Sequence, residues 1–150
     1  MKKILLKFLT IESVEMSPVN LEHTLRVATA VLLIEVMRAD FIVQPAERQK
    51  LRQLLERQFE LSAEELDALL EQAEEDADRM VSIQHVTRLM NEHYDHAMKR
   101  QVIRMMWQLV YADGDKDHYE EHLIRQVSEL LYIPHGEFIQ ARHEAEAESR

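Results

Sequence analysis

Apolar residues recur three and four positions apart along nearly the whole chain, the spacing of one helix face, and no segment shows the strict alternation of a strand. Ile4, Leu5, Phe8, Leu9 and Ile11 form a first short stripe, predicting an amphipathic helix within 1–16. Ser17-Pro18 supplies an N-cap and a first-turn proline for a second helix running to Ala39. From Val27 to Met37 that helix is apolar except at Thr29 and Glu35, so it is expected to be buried on most sides. Pro45 opens a third helix, with Leu51, Leu54, Leu55 and Phe59 inward. Ser62-Ala-Glu-Glu65 is a capping box for an acidic helix carrying Leu66, Leu69, Leu70 and Ala73. Ser82, Asp95 and Asp117 are candidate caps for three more, and Pro134 stands near the start of a last one holding Phe138, Ile139 and Ala141. The pattern predicts an all-α, compact single-domain bundle of about seven or eight helices.

The helix list contains a repeat. Ala39-Asp40 aligns with Ala112-Asp113 at an offset of 73; an apolar helix precedes each pair, and a glutamate, Glu47 or Glu120, follows seven residues after each aspartate. Leu51 then matches Ile124, and Arg52-Gln53 matches Arg125-Gln126. After a slip of one residue, Leu61 matches Ile133 and Glu65 matches Glu137. One domain over 1–150 is expected, built by internal duplication: a first repeat at 20–73, a bridging segment at 74–95 and a second repeat at 96–148.

Three stretches in this order resemble the tellurite-resistance TerB family. They are Val31-Leu-Leu-Ile-Glu-Val-Met-Arg-Ala-Asp40, Thr87-Arg-Leu-Met-Asn-Glu-His93, and Trp107-Gln-Leu-Val-Tyr-Ala-Asp-Gly-Asp115 continuing into Tyr119-Glu-Glu-His-Leu-Ile124. The likeness spans roughly residues 20–145. It implies an all-helical TerB-like fold, acidic residues near the helix junctions, a part in tellurite and other stress responses, and metal binding. The first repeat departs from the second, with Phe41, Ile42 and Gln44 where the second has Gly114, Asp115 and Asp117, so at most one metal site is expected.

Composition narrows the function by exclusion. Two glycines and three prolines in 150 residues are too few for an all-β fold or a flexible linker. No cysteine means no disulfide, no thiolate zinc site and no cysteine nucleophile. A net charge of −10 disfavours binding to nucleic acid or to anionic membrane. Most of that excess falls on residues 59–79, where nine acids face one arginine, a solvated face first and a candidate docking surface for a protein partner second. Lys7 and Glu12 interrupt any signal-peptide core, and Glu35 breaks the longest apolar run, so a cytoplasmic protein without stable membrane insertion is expected. Its oligomeric state is left open.

Candidate chemistry gathers at Asp113-Gly-Asp-Lys-Asp117 with Glu120 and Glu121, where alternating carboxylates in a turn suit a hard cation, Ca²⁺ or Mg²⁺ ahead of Zn²⁺. The segment matches the first, third and fifth positions of an EF-hand loop, but has His118 at the sixth and Ile124 at the twelfth. The bland alternative is a solvated turn in which Asp117 caps the next helix. His118-x-x-Glu121-His122 matches a metalloprotease string, which makes a zinc hydrolase the remote reading. Glu35, Asp40, Glu47, His93 and His122 are secondary polar candidates, Glu35 because an ionised carboxylate on a buried helix requires a partner. Met105, Met106 and Trp107 are assigned to the core. With no phosphate-cradling glycine motif and no nucleophile motif, the chain reads as a non-enzymatic domain that presents an acidic surface to a cation or a protein partner; a metal-free interaction scaffold is the alternative.

Overall fold

The computed structural model describes residues 18–39, 43, 45–79, 82–112 and 118–149. Among these it is all-helical, with α1 (Pro18–Arg38), α2 (Pro45–Phe59), α3 (Ala63–Asp78), α4 (Ile83–His93), α5 (His96–Val110), α6 (His118–Leu130) and α7 (His135–Glu148). The helix expected within 1–16 lies outside the described residues.

The helix starts follow the caps in the sequence. Ser62 Oγ accepts from Glu65 N at 3.2 Å while Ser62 N donates to Glu65 Oε1 at 2.9 Å, closing the capping box of α3. Ser82 accepts from Gln84 N at 3.1 Å, and Asp95 from Met98 N at 2.8 Å, opening α4 and α5. Burial pattern then decides position. From Thr24 to Met37 every residue of α1 is buried except Arg26 and Glu35, which are half-buried. The two threonines in that run satisfy their hydroxyls by donating to carbonyls one turn back, Thr24 to Asn20 O and Thr29 to Leu25 O, each at 2.8 Å.

α1 packs most extensively on α3, α5 most extensively on α7, and α1 and α5 meet in the centre. Both outer pairs are parallel. Arg38 reaches Asp78 at 2.7 Å, joining the C-terminal ends of α1 and α3. His96 meets Glu137 at 2.7 Å at one end of the α5–α7 pair, and Gln108 meets Glu148 at 2.6 Å at the other. Trp107 is fully buried at the centre of the second pair, its ring 5.5 Å from Phe138 and 6.1 Å from Tyr111. Met105 and Met106 are buried as well. Tyr94, just past α4, bonds Thr29 Oγ1 at 2.9 Å and Leu25 O at 3.3 Å, tying α4 to α1; burial pushes its phenol up to about 12.

Helix boundaries repeat along the chain. α2 and α6 begin 73 residues apart, and α3 and α7 begin 72 apart. The turns before α3 and α7 each hold a left-handed non-glycine residue, Glu60 at φ 52° and Tyr132 at φ 59°. Among the described residues, no helix is long and apolar enough to cross a membrane.

Candidate functional site

Two buried carboxylates stand at matching places. Glu47 is the third residue of α2 and 1 % exposed; Glu120 is the third residue of α6 and 2 % exposed. Both stand in the first turn of their helix, at the positive end of its dipole. Each carboxylate also has interaction partners within the protein. Asp40, Asp113, Asp115 and Asp117, which the spacing joins to these glutamates, lie outside the described residues, as does the side chain of His118.

The neighbours of Glu120 point elsewhere. Glu121 accepts from Arg142 Nη1 at 3.1 Å, with Arg125 at 3.9 Å, so its carboxylate serves the α6–α7 contact. Arg142 also donates to the Tyr111 hydroxyl at 3.0 Å and lies 5.2 Å over the Trp107 ring, locking α7 against α5 and α6. Burial pushes the Tyr111 phenol up, opposed by its bond with Arg142. His122 is exposed, and the ring of His93 finds Glu92 at 3.8 Å. Glu35 is half-buried; desolvation raises its pKa, with Arg38 opposing. Among the described residues, no three His, Asp or Glu side chains come together as a ready metal site.

The acidic helix α3 is less bare than its composition implies. Asp67 pairs with Arg52 at 2.8 Å, Glu74 with Arg48 at 3.5 Å, and Asp78 with Arg38 at 2.7 Å. Ser62 bonds hold the Glu65 carboxyl below its usual range. Glu64 and Glu71 remain exposed on the outer face.

Two features escaped sequence reasoning. Asp76 of α3 is fully buried: Gln72 Nε2 donates to Oδ1 at 3.2 Å, and Oδ2 has no hydrogen-bond partner. The signal was present, since Leu66, Leu69, Ala73 and Asp76 share one helical face, but the acidic run around Asp76 hid it. The second is a groove between α2 and α5, formed by two adjoining pockets of about 440 and 500 Å³ that share Lys50, Gln108 and Glu148. A pairing of faces 50 residues apart in sequence leaves no local motif.

The family model described as tellurite resistance protein TerB matches residues 26–143. No curated protein and no solved structure matches the chain.

Proposed function

The chain belongs to the TerB family, and from that premise we propose that it is a non-enzymatic, cytoplasmic protein of tellurite and stress resistance that binds one divalent cation at the acidic segment preceding α6 in sequence. The observation that carries this reading is Glu120, a carboxylate withdrawn from water in the first turn of α6, directly after Asp113-Gly-Asp-Lys-Asp117. Asp113, Asp115, Asp117 and Glu120 offer the oxygen donors that Ca²⁺ or Mg²⁺ requires, with water completing the shell. Glu121, engaged by Arg142, is a reserve ligand at most. Glu47 has the same place and burial in α2, but Phe41, Ile42 and Gln44 stand where the second half has its acidic triplet, so one site is expected. The matched helix starts and the paired left-handed residues support descent from a duplicated unit. The outer face of α3, with Glu64 and Glu71, is the surface proposed for a protein partner.

A metal-free interaction scaffold is the competing reading, and the commitment of Glu121 to Arg142 favours it. Melting and calorimetric titration with Ca²⁺, Mg²⁺ and Zn²⁺ separate the two. A cation that binds only the folded protein adds about 2.7 kcal/mol at a hundredfold excess over its Kd. We expect Ca²⁺ or Mg²⁺ to raise the Tm of the wild type and to leave Asp113→Ala/Asp115→Ala and Glu120→Gln unmoved. An unchanged Tm with all three metals, or an equal rise in the variants, overturns the cation reading and leaves the scaffold.

A further inference from the structure

We propose that the groove between α2 and α5 is a binding site for a small ligand bearing a phosphate-class oxyanion, held by Lys50, Arg57 and Arg104. The site shares no residue with the proposed cation ligands and stands whether or not a metal binds.

This acidic protein commits most of its described arginines to carboxylates. Eight described arginines form ion pairs with carboxylates: Arg26, Arg38, Arg48, Arg52, Arg100, Arg104, Arg125 and Arg142. Lys50 and Arg57 differ. They lie seven residues apart on α2, both line the groove, and among the described residues neither forms an ion pair. The partner of Lys50 is a neutral amide, Gln53 Oε1, at 3.4 Å. In a chain of net charge −10, two such cations on one wall mark a local reversal of sign.

Opposite them, on α5, stands Arg104, whose guanidinium grips the carboxylate of Glu148. Gln108 Nε2 donates to the same carboxylate at 2.6 Å. Glu148 thus shows the groove's donors holding an oxyanion supplied by the protein itself. Gln108 Oε1, behind that amide, is buried with no hydrogen-bond partner. The wall includes Leu54 and Met105, both buried, and low-dielectric walls focus the field of the charges above them. Each pocket lies in the size range of small-molecule sites.

Glu148 makes the test two-sided. It is the one carboxylate lining the groove among the described residues, and it both repels an incoming anion and occupies Arg104. Amide NMR titration with inorganic phosphate and with pyrophosphate, at ionic strength matched by chloride, reads the site directly. We expect saturable shifts at α2 and α5 residues of the groove, at least tenfold weaker binding in Lys50→Gln/Arg57→Gln, and severalfold tighter binding in Glu148→Gln. All three substitutions are at the surface, and retained melting temperatures check the fold. The proposal is overturned if chloride alone reproduces the shifts, if the double variant binds as wild type does, or if Glu148→Gln weakens binding.

Discussion

Asp76 sits where the stripe of α3 calls for a hydrocarbon side chain. Desolvation raises its pKa above the ordinary 3.8, with the Gln72 amide opposing. The folded protein therefore holds that proton to higher pH than the unfolded chain. Below 3.8 both states are protonated and the site costs nothing; as pH rises through the folded value the cost grows, and at neutral pH it is borne in full. Asp76→Asn keeps the shape and drops the charge. Its Tm at pH 7 should rise by about 3 °C, corresponding to roughly 1 kcal/mol, with the gain fading toward pH 4. A lower Tm at pH 7 would contradict this account of the site. Glu35 shifts in the same direction for the same reason, yet only Glu35 was legible beforehand, because it interrupts an apolar run while Asp76 follows two glutamates. The left-handed turns at Glu60 and Tyr132 were illegible too: without glycine or asparagine there, nothing local announces a positive φ.

At the scale of elements, the caps were the most readable feature, because a cap and its recipient N–H lie within three residues. Ser62→Ala removes the acceptor for Glu65 N and also the reciprocal geometry of the box. It should cost about 1 kcal/mol and lower the Tm by about 3 °C in thermal melts, whereas Ser149→Ala, at the exposed C-terminal end of α7, should change little. The contact between α5 and α7 shows the opposite case. His96, Arg100, Arg104 and Gln108 recur every four residues along α5 and meet Glu137, Glu144 and Glu148 on α7. Buried Ala141 lies between the first two of those glutamates. Each half of this ladder reads by itself as a solvated face. Only the parallel packing of two helices about 40 residues apart in sequence turns it into a seam, and that packing is decided by Trp107 and Phe138 beneath it. The α2–α5 groove is hidden for the same reason.

For the whole molecule, the all-helical architecture was legible because helical periodicity is dense and turn formers are scarce. The acidic run 113–117 was legible as chemistry from its alternating carboxylates, and it lies outside the described residues. The core does not divide between the two halves, since α1 and α5 pack on each other at its centre and α1 also contacts α4 and α6. Calorimetric unfolding should therefore show one transition, with calorimetric and van't Hoff enthalpies equal and the circular dichroism midpoint coincident. Two resolved transitions would mean that the halves are separable units. The central place of α1 also bears on how the protein is made. Ribosomes deliver α1 before its central partner α5, which ends at Val110, 72 residues after Arg38. At roughly 5–20 residues per second, a helix buried on nearly every side in the finished fold spends several seconds without the α5 surface that covers its central face. During that interval the nascent chain presents a long apolar rod, the kind of segment that chaperones shield and that aggregates when they are scarce.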